Sequence, residues 1–337
     1  MNLPMTLLRS ATATLEAGGV PRPRWTAEQL LAHSLNCKPI ELYLGATPID
    51  LKQEAQFFSD VAARASGVPL QYLLETAEFY GREFSVGPGV FIPRPETEVL
   101  IDVVCEVLEE TSSPLGGGVL RPARQPLRGC LAKRLPSLSP PERRAQAESH
   151  ARSGNRIAFE PHPPSGAPAS SNFSVVDVGT GCGAIGITLA LECPGIQVVA
   201  TDRSAHPLPF ARRNAHRHEA AVSFLEGDLL EPLAGQSVDL IAANLPYLDP
   251  EESSGWPREL NWEPWIALDG GEHGLSLIRR LIRQAAGALK PGGNLVLEIG
   301  DGQASPVGSC AQTHGFRLHQ VVQDLAGLER VVVLWKS

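Results

Sequence analysis

The 337-residue sequence has no apolar run near the roughly 18 residues that a membrane-crossing helix needs, so no membrane partner is expected. Its opening residues, Met1-Asn2-Leu3-Pro4-Met5, lack the basic stretch and long apolar core of a secretory signal, and a cytoplasmic location is expected. Its six cysteines, at 37, 105, 130, 182, 193 and 310, form no CxxC pair and no short Cys/His spacing. That argues against a zinc centre and a disulfide framework, and no metal is expected. A basic excess is also missing. The formal net charge is −8, which does not suit a protein that tracks nucleic acid through a basic groove, and no direct nucleic-acid partner is expected. What remains, 43% hydrophobic and 20% charged residues, is an ordinary globular composition, long enough for two domains with a sizeable core.

The most informative stretch is Asn244-Leu245-Pro246-Tyr247, which follows the apolar run Val238 to Ala243, read as a buried strand. The Asn244 side-chain carbonyl can accept a hydrogen bond from an NH2 group. Pro246 has no N–H and a fixed φ, and it biases Leu245 towards an extended conformation, which makes the Leu245 carbonyl a second acceptor. Tyr247 supplies a flat face for stacking. Two acceptors and a wall can hold a planar nitrogen with its reacting face open. A strand followed by a proline turn would produce the same tetrapeptide for structural reasons alone.

A glycine loop lies upstream. Phe173 to Val178 reads as a strand, Gly179-Thr180-Gly181-Cys182-Gly183 as a tight loop, and Ala184 to Leu191 as a helix. Strand, glycine turn and helix open a nucleotide-binding βαβ unit, because glycine lets the backbone approach a ligand at a helix N-terminus. Gly181-x-Gly183-x-x-Gly186 also matches the dinucleotide fingerprint, so a nicotinamide dehydrogenase competes. The next strand, Ile196 to Thr201, ends in Asp202, which can accept ribose hydroxyls from either kind of cofactor. Asp177, just before the glycines, would face a pyrophosphate badly but suits the ammonium and sulfonium charges of S-adenosylmethionine. Val222 to Glu226 leads into Gly227-Asp228-Leu229, where Asp228 can accept an adenine amine and Leu229 can pack on the ring. Cys182 reads as a small loop filler rather than a reactive thiol. No second-domain His or Lys constellation supports the dehydrogenase.

The segments Pro69 to Leu74, Glu78 to Gly81 and Val90-Phe91-Ile92-Pro93-Arg94-Pro95-Glu96-Thr97-Glu98 resemble the HemK/PrmC family. So do Asp177 to Gly183, Asn244 to Tyr247, Glu263-Pro264 with Ala267 to Gly271, and Gln323 to Arg330. The resemblance spans nearly the whole chain outside one insertion. It implies an α/β fold, a class I S-adenosylmethionine-dependent methyltransferase with a Rossmann-like seven-stranded sheet, preceded by a small helical domain and a β-hairpin linker. It implies transfer of a methyl group from S-adenosyl-L-methionine to the side-chain nitrogen (N5) of the glutamine in the Gly-Gly-Gln motif of peptide chain release factors. The expected site residues are then Asp177, Gly179, Thr180, Gly181, Cys182, Gly183, Asp202, Asp228, Leu229 and Asn244 for the cofactor. Asn244, Leu245, Pro246 and Tyr247 are expected for substrate and catalysis. A monomer acting on a protein substrate is expected. Leu245 stands where the family usually has Pro, Cys182 where Ser or Thr is frequent, and His206 where Ala is usual. The competing readings are a ribosomal-protein glutamine methyltransferase, an RNA or DNA adenine N6-methyltransferase, and a non-catalytic binding protein. Asn-Leu-Pro-Tyr itself occurs in ribosomal RNA adenine dimethylases, but Ile92 to Glu98 and the acidic charge oppose that class.

Residues 1–75 read as a helical domain, which the resemblance implies helps to recognise the protein substrate, with a helix over Thr26 to Leu35 capped by Thr26. A second helix is expected over Leu51 to Ala65, with Phe57, Phe58, Val61 and Ala65 as a core stripe. Residues 76–94 read as the hairpin linker. The methyltransferase domain is expected over 95–337, opening with a helix from Glu96 to Glu109. It is interrupted at 111–172 by a Pro-, Ser-, Gly- and Arg-rich stretch expected to be mostly disordered, with a short helix near Pro141 to His150. That stretch holds nine Lys/Arg and three Asp/Glu, a net of +6 that leaves −14 for the remainder. It reads as a tolerated surface insertion in preference to a nucleic-acid arm. Arg94, Glu96 and Glu98 are expected to tie the hairpin down or to line the substrate entrance, and Trp256, Trp262 and Trp265 to pack under a long loop or form a wall. Leu275 to Leu289 reads as a helix. Asn294 to Ile299, Phe316 to Val322 and Val331 to Trp335 read as the last strands.

Overall fold

The computed structural model describes residues 4–44, 49–112 and 173–337. Most of the insertion, with its proposed helix near Pro141, lies outside the described residues. The chain starts with helices α1 (Pro4–Ala17), α2 (Pro23–Ser34), α3 (Leu51–Ala65) and the short α4 (Leu70–Leu74). Asp50 caps α3: its carboxylate accepts the Gln53 N–H at 2.8 Å, while the Gln53 side chain accepts the Asp50 N–H at 3.1 Å. Phe57 and Val61 are buried with Leu8, Leu15, Leu30 and Leu31 in one apolar core, and Phe58 and Ala65 pack half-buried against it. Thr26 does not cap α2. That helix starts a turn earlier, because Pro23 suits a first helical position, and Thr26 is buried inside it.

Strands β1 (Thr76–Phe79) and β2 (Arg82–Ser85) pair antiparallel across Tyr80-Gly81, whose φ values of +51° and +70° form a mirror-image hairpin turn. The ladder ends at Ser85, and 86–94 runs on as a loop. Asn214 clamps this hairpin. Its side chain accepts the Ser85 N–H at 2.7 Å and donates to the carbonyls of Ser85 and Cys182. Pro95–Thr97 then form a 3-10 turn, so α5 (Glu98–Ser112) begins two residues later than the sequence suggests.

The remaining strands are β3 (Phe173–Val178), β4 (Ile196–Asp202), β5 (Val222–Glu226), β6 (Val238–Ala243), β7 (Leu289–Glu298), β8 (Phe316–Gln323) and β9 (Glu329–Lys336). Helices α6 (Ala184–Glu192), α7 (Leu208–Arg217), α8 (Ser276–Ala288) and α9 (Ala304–Thr313) pack on the sheet. The sheet order is β5-β4-β3-β6-β7-β9-β8; β9 runs antiparallel to both its neighbours, and the other pairs are parallel. The order reverses between β3 and β6, and a crevice opens there at the carboxyl ends of the strands. β7 begins at Leu289 opposite Val238, before the expected Asn294. The turn at Gly292 (φ +80°) interrupts the ladder without ending it. Buried apolar clusters lie on both faces of the sheet, which is why its central strands read as continuous apolar runs. The scattered cysteines include one close pair: Cys105 of α5 and Cys193 at the end of α6 are free thiols with sulfurs 2.9 Å apart.

Candidate active site

A cavity of about 270 Å³ lies over the carboxyl ends of β3, β4, β5 and β6. Its floor is Val178 to Cys182; its walls include Asp202, Asp228, Leu229 and the tetrapeptide Asn244 to Tyr247. The glycine loop turns through φ values of +77°, +56° and +87° at Gly179, Gly181 and Gly183. The Gly179 and Thr180 N–H groups both donate to the Thr201 carbonyl, at 2.8 and 2.9 Å, which ties the loop to β4. Gly179 is needed for close approach, since a Cβ there would lie 3.0 Å from the Leu245 side chain. Gly181 differs: a Cβ would meet nothing within 4 Å, so the space above it is open.

Asp202 lines the cavity and accepts N–H bonds from Gly181 and Ser204, both at 2.9 Å. Burial raises its carboxyl above the usual range against the pull of those two donors. Asp228 also lines the cavity. One oxygen pairs with Arg280, and the other is buried without a partner among the described residues. Leu229, at φ +53°, is turned into the cavity wall. Burial pushes the Cys182 thiol up to about 12, so it stays protonated and unreactive at neutral pH.

Asp177 and Gly183 are not among the cavity-lining residues. The Asp177 side chain is fully buried. One oxygen accepts the Thr180 hydroxyl at 2.6 Å and the Gly186 N–H at 2.9 Å, and the other is buried with no partner among the described residues. Burial pushes its carboxyl up to about 6, opposed by these donors. Asp177 thus ties the glycine loop to the first turn of α6. Gly186 leaves room for that contact, since a Cβ there would lie 3.0 Å from the carboxylate.

The Asn244 side chain donates from Nδ2 to the Thr97 hydroxyl at 2.9 Å, leaving its Oδ1 end for other donors. Leu245 is buried against the glycine turn. The Tyr247 hydroxyl donates to Glu298 at 3.3 Å, and the Tyr247 carbonyl accepts from Gln303 at 3.1 Å. The loop beyond is pinned by the Leu248 N–H on the Leu268 carbonyl and the Gly270 N–H on the Leu248 carbonyl. His206 packs on the linker, with its ring nitrogen 3.0 Å from the Pro88 carbonyl.

The linker contributes Phe91, Pro93 and Arg94 to the lining, the turn before α5 contributes Thr97, and the loop after β6 contributes Leu260, Pro264 and Ile266. Arg94 both lines the cavity and forms an ion pair with the buried Glu263, which also accepts the Ile92 N–H at 3.0 Å. Glu98 accepts the Tyr80 N–H at 2.7 Å and so fastens the hairpin to α5. The three tryptophans form no part of the lining. Trp256 and Trp265 stack on one another at 5.4 Å, and Arg64 of α3 reaches the same loop through Glu259 at 3.0 Å. Thr97 and Glu298 are the site residues that motif reading passes over. A glutamate inside the apolar run Leu295 to Ile299 is the signal that could have exposed Glu298.

A family model for the PrmC N-terminal domain matches residues 6–74, and one for the Methyltransferase small domain matches residues 167–255. A release factor glutamine methyltransferase from Koribacter versatilis is 35% identical over 329 residues, covering 96% of this chain and 95% of that protein. One from Moorella thermoacetica is 34% identical over 334 residues, covering 98% and 97%. Among solved structures, a T. thermophilus 16S rRNA N2 G1207 methyltransferase in complex with AdoMet and guanosine is similar at a TM-score of 0.46 and 16% identity, covering 78% of this chain and 50% of that one.

Proposed function

We infer the reaction from one premise: the chain belongs to the release factor glutamine methyltransferase family, whose members it matches over nearly its whole length. It is an S-adenosylmethionine-dependent enzyme that methylates the side-chain nitrogen (N5) of the glutamine in the Gly-Gly-Gln motif of peptide chain release factors. Several features of the cavity suit this cofactor: the open space above Gly181, the carboxylate of Asp202, the unpartnered buried oxygen of Asp228 and the apolar face of Leu229. In our reading Asp202 takes the ribose hydroxyls and Asp228 the adenine amine. Asp177 holds the loop in shape from behind.

Bound S-adenosylmethionine supplies an electrophilic methyl group on a positively charged sulfur. An amide nitrogen is a poor nucleophile because its lone pair is delocalised into the carbonyl. Asn244 Oδ1 and the Leu245 carbonyl would accept the two N–H bonds of the glutamine amide, push electron density onto its nitrogen and hold that nitrogen towards the cofactor. Tyr247 stacks on the amide plane. The cofactor would give its methyl group to that nitrogen with loss of the carbon–sulfur bond, and the displaced amide proton would pass to solvent. Positioning of this kind is worth roughly 7–11 kcal/mol in favourable cases. The single observation that carries this reading is the Asn244 amide held by Thr97 at the cavity wall.

The helical domain 1–75 and the linker grip the release factor, and the Arg64–Glu259 pair couples that domain to the loop beside the cavity. Among the described residues no helix is long and apolar enough to cross a membrane. In our reading the enzyme acts as a cytoplasmic monomer, and the net charge of −8 supports the lack of direct nucleic-acid contact.

Methyl transfer from labelled S-adenosylmethionine to a purified release factor tests the assignment, beside a copy whose Gly-Gly-Gln glutamine is alanine. Label is expected on the intact factor alone. Equal label on both copies would overturn the choice of acceptor. Asp202→Ala is expected to weaken cofactor binding by about 1–3 kcal/mol, roughly 5- to 150-fold in Kd by calorimetry. Unaltered affinity would show that the ribose does not sit at the end of β4.

A further inference from the structure

We propose that Cys105 and Cys193 form a reversible dithiol–disulfide site that fastens α5 to α6 beneath the hairpin of the linker. Neither cysteine lines the cavity, so the site is separate from methyl transfer. Cys105 lies in the middle of α5, and Cys193 directly follows Glu192, the last residue of α6. Both are half-buried free thiols, with their sulfurs 2.9 Å apart. A disulfide has a sulfur–sulfur separation of about 2.05 Å, so a shift of roughly 1 Å brings the pair to bonding distance. The seam between these two helices also carries the hairpin. The Tyr80 N–H donates to Glu98 and the Tyr80 hydroxyl to Asp102, both on α5 and both at 2.7 Å. Arg82 of β2 pairs with Glu192 of α6 at 2.5 Å. Tyr80 and Arg82 thus span the helices that the cysteines join, and Cys105 lies one turn beyond Asp102. A covalent bond there ties the two anchors of the hairpin to one another.

The two thiols are unequal. The hydrogen bond from Cys105 holds the Cys193 thiol below its usual range, against burial and the charges of Glu192 and Glu109. That same bond, together with burial, raises Cys105. Cys193 is therefore the attacking group, because the thiolate is the nucleophile. It also sits in a turn between the exposed Glu192 and Pro194, where a small molecule can reach it. The oxidant is a low-molecular-weight disulfide. The Cys193 thiolate attacks one sulfur of that disulfide, which forms a mixed disulfide and releases one thiolate. Cys105 then loses its proton, and its sulfur attacks the Cys193 sulfur and releases the second thiolate. Each protein thiol gives up a proton and each released thiolate takes one up. Two protein thiols are oxidised to one disulfide, and the added disulfide is reduced to two thiols. Asp102, Glu109 and Glu192 put negative charge around the pair, which favours a cationic oxidant over an anionic one. The two cysteines are 88 positions apart, with the whole insertion at 111–172 between them. A cross-link that closes so long a loop of the unfolded chain removes much of its entropy and stabilises the folded state.

The test incubates the reduced full chain with cystamine, a cationic disulfide, and quenches samples by alkylation for peptide mass mapping. Thermal unfolding is followed in parallel. A cross-linked Cys105–Cys193 peptide is expected, with both thiols lost together while the buried Cys182 keeps its own. The Tm is expected to rise by about 4–8 °C, and dithiothreitol should reverse both changes. In Cys105→Ser, Cys193 should accumulate a lasting cystamine adduct, because no second thiol resolves it. In Cys193→Ser, Cys105 should react at least about tenfold more slowly than in the unsubstituted chain. Separate cystamine adducts on the two cysteines of the unsubstituted chain would overturn the site. So would two intact thiols after Cys37 and Cys310 have reacted. A cross-link that left Tm unchanged would overturn the fastening of α5 to α6. The unsubstituted chain decides between these results even if a serine variant fails to fold.

Discussion

Asn244→Ala is expected to lower kcat by at least about a hundredfold while changing cofactor Kd less than about fivefold, a loss near 3 kcal/mol in the transition state. The side chain stands at the cavity wall with its nitrogen end held by Thr97 at 2.9 Å. Its carbonyl oxygen therefore needs no reorganisation to receive a substrate N–H. Alanine removes that acceptor and leaves the glycine loop, Asp202 and Asp228 in place. A single-turnover assay with saturating cofactor separates the step from binding. Turnover within about threefold of wild type would remove Asn244 from the transition state.

The second large effect is expected at Gly274, outside every motif that suggested a site. This glycine sits at φ +69°, and a Cβ on it would lie 2.0 Å from the Tyr247 carbonyl oxygen and 2.7 Å from the Gln303 amide nitrogen. No rotation of a flexible side chain relieves a clash with backbone, so either the loop at Gly274 or Tyr247 itself has to move. Gly274→Ala is expected to cost about 3–5 kcal/mol of stability, a fall in Tm of roughly 5–10 °C, together with a loss of turnover through Tyr247. Gly302→Ala is the control, since Gly302 has a similar φ of +77° with no atom within 4 Å of the added Cβ. It should cost only the conformational strain, about 1 kcal/mol. Equal Tm shifts for the two variants would show that close approach to Tyr247 contributes nothing.

Periodicity and turn chemistry brought out most of the sheet. β3 and β6 run over the residues that their apolar runs mark, because a strand buried on both faces has little room for polar interruption, and the edge strand β5 also matches its expected range. Local reading failed where a local rule had a competitor. Thr26 looks like a helix cap, but Pro23 starts the helix first. Lys290 to Gly293 looks like the end of a helix and a turn, yet Leu289 already pairs with Val238 across the interruption. Asp177, read as suiting a positive cofactor because it precedes the glycines, also braces the loop through the Thr180 hydroxyl and the Gly186 N–H, a role that no local pattern signals.

By itself the sequence determined the chemistry on offer at four strand ends: the glycine loop, Asp202, Asp228 with Leu229, and Asn244 to Tyr247. Each rests on contiguous residues whose backbone requirements are local, such as a positive φ, a missing N–H or a strand terminus. Only the tertiary structure decided how that chemistry is held and oriented. Thr97 lies 147 positions from Asn244, and Glu298 lies 51 positions from Tyr247. Arg64 and Glu259, which join the helical domain to the cavity loop, are 195 apart. No period or spacing connects such pairs, because what brings them together is the packing of elements far apart in the chain: the turn before α5 and β7 beside β6, and α3 beside the loop after β6. A hydrogen bond depends on distances of about 3 Å in space and carries no trace of separation along the chain.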